Sequence, residues 1–307
     1  MSTRRLADSG TLMTTPPNAP TAAYAALVLA ALSWGLSTAT TKYALAGFSA
    51  TDLLVVELAV GAIALWCLPR VRRRARPAFR RGYLLLGLLE PGVAYALFNF
   101  GLERTSAADA SVLVSLESVA VAVFASVFLG ERLSRSVVFG AALGVGGAVL
   151  LAAHEAHHGA SLAGDALIVA GVVAAAGYSV VARRVAPGGD AALATAYQLA
   201  AALAVALVVW SAVSAGSGST FGRPSVSQWL AAAATGVFGS AVPFLLYTFP
   251  ASRLPAARAG MLSNLIPVFG VTAAVLLLDE RLALTQLLGA VLVVAGLGIA
   301  QLRVRAG

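Results

Sequence analysis

The sequence predicts an all-α integral membrane protein with ten transmembrane helices, arranged as two inverted five-helix repeats. Three observations predict this fold class. The chain is 59% apolar and only 11% charged, with a mean hydropathy of +0.87, whereas about a quarter of the residues in an average soluble domain are charged. Apolar runs of about twenty residues, long enough to span a bilayer as helices, recur along the chain. Finally, the second half repeats the first.

The duplication is clearest in two stretches that both end in Glu-Arg-Leu. Residues 105–133 read TSAADASVLVSLESVAVAVFASVFLGERL, and residues 254–282 read LPAARAGMLSNLIPVFGVTAAVLLLDERL, an offset of 149 (254 − 105). The same offset aligns further pairs without a gap: Gly87 with Gly236, Phe100 with Phe249, Arg104 with Arg253, Gly140 with Gly289, and Gly147 with Gly296. A fixed offset over this length indicates an internal duplication.

The predicted elements follow in order. Residues 1–20 are polar and rich in Thr and Pro, so we expect a disordered cytoplasmic tail. Ten apolar runs then predict spans at 21–43, 52–68, 83–102, 108–129, 136–153, 163–182, 191–213, 228–249, 256–278 and 284–302. They group into a first repeat, residues 21–153, and a second, residues 163–302.

The distribution of Lys and Arg predicts that both termini are cytoplasmic. With that orientation only Lys42, Arg104, Arg223 and Arg281 fall outside, and the other 17 of 21 (21 − 4) fall inside, as the positive-inside rule requires. Five spans per repeat is an odd number, so the two repeats cross the membrane in opposite directions. Secondary transporters commonly have this architecture, with the substrate site near the midplane between the repeats.

Composition and motifs argue against several other classes of protein. The single cysteine, Cys67, excludes a disulfide framework and a cysteine metal site. The net charge of +8 comes from arginines between apolar runs, without a nucleic-acid-binding motif. No Walker motif, dinucleotide fingerprint or nucleophile elbow is present. We therefore expect no enzyme, no cofactor and no nucleic-acid partner, but a small-molecule substrate and membrane lipid.

Several short motifs stand within the predicted helices or at their ends. They are Trp34-Gly35 in the first helix, Thr105 to Ala108 opening the fourth, Phe128 to Leu133 closing it, and Asn264 to Pro267 and Asp279 to Leu282 in the second half. Together they resemble the EamA-type transporters of the drug/metabolite transporter superfamily. The resemblance implies ten helices in two inverted repeats around a central cavity, built largely from helices 3, 4, 8 and 9 with helices 1 and 6.

The resemblance also implies a function. Similar proteins export amino acids, other metabolites or toxic organic cations. We therefore expect a multi-pass exporter in the bacterial inner (plasma) membrane that works by alternating access on small metabolites, with amino acids or related compounds as the first hypothesis. Export by proton antiport and export down the substrate's own gradient both stay open, and efflux of organic cations or drugs is the alternative.

Polar residues inside the spans are the candidate cavity wall. Ser111, Ser115 and Ser118 share one helix face, and the offset carries them onto Gly260, Asn264 and Pro267. Such a stripe is typical of a polar cavity wall and equally of close helix packing. The candidate substrate-binding residues are Trp34, Thr38, Glu57, Glu90, Tyr95, Ser111, Ser115, Ser118, Ser240, Tyr247 and Asn264.

Three glutamates lie several residues inside predicted helices: Glu57, Glu90 and Glu117. An ionisable group there costs a few kcal/mol, which suggests a function. Because burial disfavours the charged form, such a group can exchange a proton near neutral pH, as proton coupling requires, and when ionised it can bind an ammonium group. The alternative is a structural hydrogen bond, for example with Tyr95 or Asn99. Helical spacing places Glu117 roughly 120° from the serine stripe.

Three prolines lie inside predicted helices: Pro91, Pro243 and Pro267. Proline removes a backbone hydrogen bond, so we expect helix kinks there. Pro91 and Pro243 fall at similar depth, where a kink would open carbonyls to the cavity, provide a hinge or simply be tolerated.

One motif suggests a different class of function. His154-Glu155-Ala156-His157-His158 matches H-E-x-x-H, which binds zinc when it lies on a helix. We place it in the short outer connection between helices 5 and 6, because Gly159 follows at once, and expect no metal site. An intramembrane zinc protease is kept as a remote alternative.

Overall fold

The computed structural model describes residues 19–74, 81–130, 135–158, 162–185, 190–217, 222–251 and 265–301, with backbone alone at some positions, among them 151–158. Within these residues the chain forms helices joined by turns and short connections, with no strand, which confirms the all-α prediction. Their helices are α1 (Ala19–Leu45), α2 (Ala50–Trp66), α3 (Pro69–Arg74), α4 (Arg81–Gly87), α5 (Ala94–Leu102), α6 (Ala107–Val114), α7 (Glu117–Leu129), α8 (Arg135–His158), α9 (Leu162–Val185), α10 (Ala191–Ser217), α11 (Val226–Ala234), α12 (Val242–Ala251), α13 (Leu265–Leu278) and α14 (Leu284–Gln301).

Six helical segments in the described part are long and apolar enough to cross a membrane: Thr21–Leu45, Arg81–Leu102, Ala107–Phe128, Leu162–Ala182, Ala191–Ala215 and Val226–Tyr247. Shorter apolar helices occupy Arg135–Gly147, Leu265–Leu278 and Leu284–Gly296. The protein is therefore a membrane protein with several apolar helices. The count of ten spans and the inverted orientation stay predictions.

Serine caps set the starts of several helices. Ser49 accepts a hydrogen bond from the Asp52 amide at 3.1 Å, and Ser106 accepts one from the Asp109 amide at 3.0 Å. These side chains satisfy amides that have no partner within the helix. At the other end of a helix, Gly130 closes α7 with φ +71°, a left-handed conformation that glycine adopts without steric cost.

Three segments interrupt helices near mid-span. Glu90 has an extended backbone (φ −146°, ψ 127°) within Leu88–Val93, between α4 and α5. Ser115 and Leu116 form a tight turn between α6 and α7, where the Ser115 hydroxyl donates to the Val112 carbonyl at 2.5 Å. Thr235–Ala241 is a widened helical turn between α11 and α12. Irregular backbone at membrane depth is tolerated where it is buried in protein or lines a cavity.

The prolines relate differently to these interruptions. Pro91 directly follows Glu90, whereas Pro243 lies in α12 just after the widened turn, and Pro267 lies in α13. Of the three prolines, only Pro91 adjoins a residue with non-helical backbone torsions, Glu90.

The two halves pack together through repeated glycine contacts. A Cβ atom at Gly147 would lie 2.5 Å from the carbonyl oxygen of Gly289, and one at Gly296 would lie 2.5 Å from that of Gly140. Any side chain there would force α8 and α14 apart. Since the 149 offset pairs Gly140 with Gly289 and Gly147 with Gly296, the same contact is made twice with the halves exchanged.

The predicted position of the H-E-x-x-H motif is wrong. Helix α8 ends at His158, so the motif belongs to that helix and not to a connection. Hydropathy falls at His154, but the Ala and Glu residues of the motif favour helix, so the backbone continues to the residue before Gly159.

Candidate functional site

Aromatic side chains from four helices meet in the middle of the bundle. The Trp34 ring lies 5.5 Å from Phe244 and 5.7 Å from Tyr247, centroid to centroid. The Phe244 ring also lies 6.3 Å from Tyr95 and 6.2 Å from Tyr178. We call these five residues the central aromatic cluster. Because they come from α1, α5, α9 and α12, both halves of the chain build it.

A hydrogen-bond chain fixes one wall of this cluster. The Trp34 indole Nε1 donates to the Tyr95 hydroxyl at 3.1 Å, and that hydroxyl donates to the Gly239 carbonyl at 2.7 Å. Tyr95 thus links α1 to the widened turn before α12. Ser240, next to Gly239, is fully buried. The Tyr95 side chain has little freedom, so the Trp34 ring is held in one orientation.

All three buried glutamates lie within electrostatic range of this cluster. Glu90 and Glu117 are close enough for their charges to interact, both are electrostatic neighbours of Tyr178, and Tyr95 has Glu90 and Glu57 as neighbours. Glu90 lies at the interruption between α4 and α5, and Glu117 is the first residue of α7. The spacing argument for Glu117 assumed a continuous α-helix, which the turn at Ser115 and Leu116 interrupts. The two carboxyl groups that interact electrostatically therefore both lie at helix interruptions.

Glu57 has a different environment. It is 1% exposed and accepts a hydrogen bond from Asn99 Nδ2 at 2.9 Å. This bond joins α2 to α5 and matches the structural alternative considered for the glutamates. A direct contact of Glu57 with substrate stays a prediction.

The serine stripe bonds to its own backbone. Ser111 donates to the Ala107 carbonyl at 2.7 Å, and Ser118 donates to the Ser115 carbonyl at 3.3 Å. Thr38 likewise donates to the Trp34 carbonyl at 3.4 Å. A Cβ at Gly270 would collide with Ser111, so α6 and α13 pack closely here. Asn264, which the 149 offset pairs with Ser115, lies outside the described residues.

The family model for the EamA-like transporter family matches residues 21–153 and 162–301. The chain belongs to this family. Its members are transporters of the drug/metabolite transporter type, so this EamA protein is a transporter of that type. The resemblance noted in the sequence motifs is confirmed.

Several relatives are similar to this EamA transporter. The uncharacterized transporter YyaM of Bacillus subtilis is 27% identical over 218 residues, which cover 70% of each chain. A probable terminal-alkyne amino-acid exporter of Streptantibioticus cattleyicolor is 29% identical over 134 residues, 43% of this chain and 45% of the exporter. A WAT1-related chloroplastic protein of Arabidopsis thaliana is 30% identical over 200 residues, 62% of this chain and 47% of that protein. The matches thus span less than half the length of the last two relatives.

A solved crystal structure shares the fold. It has a TM-score of 0.67 and 21% identity, and the alignment covers 93% of this chain and 98% of that one. At this identity the likeness shows the fold alone.

Sequence reasoning missed two members of the central aromatic cluster. Phe244 and Tyr178 carry neither a charge nor a motif, so they were not selected. The repeat offset contains a signal for Phe244, because it pairs Phe244 with Tyr95 (244 − 95 = 149). Two repeat-related aromatic residues of this EamA transporter therefore pack together in the cluster, with 6.3 Å between their ring centroids.

The zinc alternative is not tested by this structure. Among the residues whose side chains are described, no three His, Cys, Asp or Glu residues are grouped as metal ligands. The side chains of His154, Glu155, His157 and His158 lie outside that set.

Proposed function

We propose that this EamA transporter is a secondary-active exporter of small metabolites, with amino acids or related compounds as its first substrate class, and that it works by alternating access. The observation that carries the proposal is the electrostatic proximity of Glu90 and Glu117 to each other and to Tyr178 of the central aromatic cluster, with both carboxyl groups at helix interruptions. Interrupted helices near mid-membrane form the substrate sites of many inverted-repeat transporters. The name of the Streptantibioticus cattleyicolor relative supports the amino-acid class.

The repeat architecture belongs to the same proposal. Residues 21–153 and 163–302 form two repeats of five spans each in opposite orientations, with both termini cytoplasmic in a bacterial inner membrane. Two matches of the family model support the two repeats, and the exchanged glycine contacts support their two-fold relation. A second exchanged contact agrees: Gly236 closely approaches the Glu57 carbonyl, and Gly87 that of Gln198, where residues 57 and 198 correspond at an offset of 141.

Each part of the site has a proposed role. The Glu90 and Glu117 carboxylates receive the substrate's ammonium group, and the aromatic faces add cation–π attraction. Because two neighbouring negative charges repel each other, one cation relieves the repulsion whether it is a proton or an ammonium group. Competition between the two cations would couple export to proton entry without any catalytic step.

Flux measurements test the site. Proteoliposomes loaded with labelled amino acids should release them by counterflow in the wild type, and Glu90→Gln should lower the rate by at least about tenfold, since a charge-assisted bond worth about 1.5–3 kcal/mol is lost. Glu103→Gln is the matched control, because Glu103 pairs with Arg104 at an exposed position. Equal rates for Glu90→Gln and the wild type would contradict the site.

Organic cations are a second candidate because of one observation. The ionisable groups around the cluster are the carboxyls of Glu57, Glu90 and Glu117 and tyrosine phenols, whereas the described Lys and Arg residues lie at or near helix ends. No described cation is thus placed to bind a substrate carboxylate. Inhibition of labelled-substrate flux by tyrosine and by tyramine, measured separately, distinguishes the two candidates. Stronger inhibition by tyramine favours organic cations, and stronger inhibition by tyrosine favours amino acids.

A further inference from the structure

We infer that Arg72 and Arg73 on α3 form a binding site for the headgroup of an anionic phospholipid. The short helix α3 follows α2 after only Cys67 and Leu68. It is part of a run of seven arginines between residues 70 and 81, of which Arg76 and Arg80 lie outside the described residues. This inference concerns the membrane-facing surface and does not depend on the identity of the transported substrate.

Helix α3 is docked firmly on the bundle. Val71 is 1% exposed. Asp190, just before α10, accepts hydrogen bonds from Arg70 Nε at 3.3 Å and Nη2 at 3.2 Å, and from Arg74 Nη1 at 3.2 Å. Partial burial alone would raise the pKa of Asp190, but the hydrogen bond and charge of Arg70 outweigh it and lower that pKa below its usual range. The carboxylate is therefore ionised at neutral pH and holds two of the four α3 arginines.

The other two arginines point away from this docked face. At about 100° per residue, Arg72 and Arg73 lie roughly 150° and 110° from the centre of the face formed by Arg70, Val71 and Arg74. Both are exposed, and no carboxylate in the described part of the chain pairs with either. Guanidinium groups bind phosphate through two parallel hydrogen bonds, so the pair is a phosphate-binding surface held on a fixed helix.

The neighbouring apolar surface places these arginines at headgroup level. Ile63 and Leu68, on and just after α2, are 63% and 40% exposed. Leu84 and Leu85 on α4, and Leu88 directly after it, are exposed along one face that begins at Arg81. Such leucine faces contact lipid tails, and the arginines stand where those faces end. A phosphate attached to a lipid therefore fits this surface better than a free phosphate in water.

Native mass spectrometry of the purified full-length protein tests the site. The protein is titrated with phosphatidylglycerol or phosphatidylcholine of identical acyl chains. Arg72→Gln/Arg73→Gln should weaken phosphatidylglycerol binding by about thirtyfold, and each single change by about fivefold, because an arginine at the surface of an anionic membrane contributes about 1 kcal/mol. Phosphatidylcholine binding should not change.

Arg223→Gln/Arg281→Gln is the control, since it removes the same charge from exposed positions elsewhere. It should keep the preference for phosphatidylglycerol. An unchanged preference in the Arg72/Arg73 variant would overturn the inference, as would an equal loss in the control, which would indicate net charge alone. If the double variant has a lowered melting temperature without lipid, the preference of the single variants Arg72→Gln and Arg73→Gln for phosphatidylglycerol tests the inference instead, and an unchanged preference in both would overturn it.

Discussion

At the scale of single residues, Tyr95 connects the site to the fold. Its hydroxyl accepts from Trp34 and donates to Gly239, so one oxygen links α1, α5 and the turn before α12. Sequence alone identified Trp34, Glu90, Tyr95 and Tyr247 as candidates because polar and aromatic groups in apolar runs are conspicuous. It could not show that Ser111 and Ser118 bond to nearby backbone carbonyls, because hydroxyl direction depends on local backbone geometry.

Tyr95→Phe tests the contribution of the hydroxyl alone, because it removes the hydroxyl and keeps the ring. The ring still fills its space, but the Trp34 indole and the Gly239 carbonyl lose their partner. We expect a loss of about 1–3 kcal/mol of unfolding free energy and a raised KM, because the Trp34 ring is no longer fixed. Thermal unfolding and transport kinetics measure both. Tyr43→Phe is the control, because Tyr43 bonds Ser227 at an exposed position; an equal effect there would contradict the role of Tyr95.

Asp190 gives the stability a defined pH dependence. The pKa of Asp190 is lowered in the folded protein. Its ion pairs therefore stabilise the fold at pH values above the ordinary pKa of Asp, and this stabilisation is lost as the pH falls through the lowered pKa of the folded state. Asp190→Asn should lower the melting temperature at pH 7, and the difference from the wild type should shrink below about pH 4. A difference that stays constant down to pH 3 would contradict the ion pairs.

At the scale of elements, the repeated Glu-Arg-Leu motif has a structural explanation in the second half. Glu280 accepts hydrogen bonds from the amides of Ala107 at 2.9 Å and Ala108 at 3.0 Å, in the first turn of α6. A carboxylate there satisfies free amides and opposes the positive end of the helix dipole. The motif thus joins the end of one apolar helix to the start of another in the opposite half.

Glu280→Ala should therefore destabilise the protein by about 1–2 kcal/mol, the usual cost of losing such a helix cap. Glu103→Ala removes a carboxylate that pairs with Arg104 and accepts a long hydrogen bond, 3.4 Å, from the Ala50 amide, so it should cost less, about 0–1 kcal/mol. Thermal unfolding of both variants in detergent makes the comparison. Equal melting temperatures for the two would indicate that the Glu280 contact contributes nothing specific.

Helix positions were predictable from hydropathy, and helix interruptions were not. Apolar runs located α1, α2, α9 and α10 to within a few residues at most ends, because a span needs a fixed length of apolar chain. Hydropathy does not detect a backbone change inside an apolar run, so the turn at Ser115 was missed. Hydropathy also placed the end of the fifth span at residue 153, whereas α8 continues to His158, since polar residues can extend a helix beyond an apolar run.

At the scale of the whole molecule, polar contacts secure the two ends of the bundle around an aromatic and acidic centre. At one end Asp190 joins α3 to α10 through Arg70 and Arg74. At the other, Lys42 Nζ donates to the carbonyls of Leu102 and Thr105, both at 2.7 Å. Alternating access requires each end of the bundle to open in turn. The ion pairs of Asp190 and the hydrogen bonds of Lys42 join helices of different spans, and such polar contacts can break and re-form.

We propose that Glu90 couples substrate movement to protons at a site between the halves. Internal pH of proteoliposomes, measured as amino acids or organic cations are added, tests it most directly in the wild type, Glu90→Gln and Glu103→Gln. We predict a substrate-dependent pH change in the wild type and in Glu103→Gln that is lost in Glu90→Gln. Movement of labelled substrate without any pH change, or an unaltered pH change in Glu90→Gln, would contradict the claim.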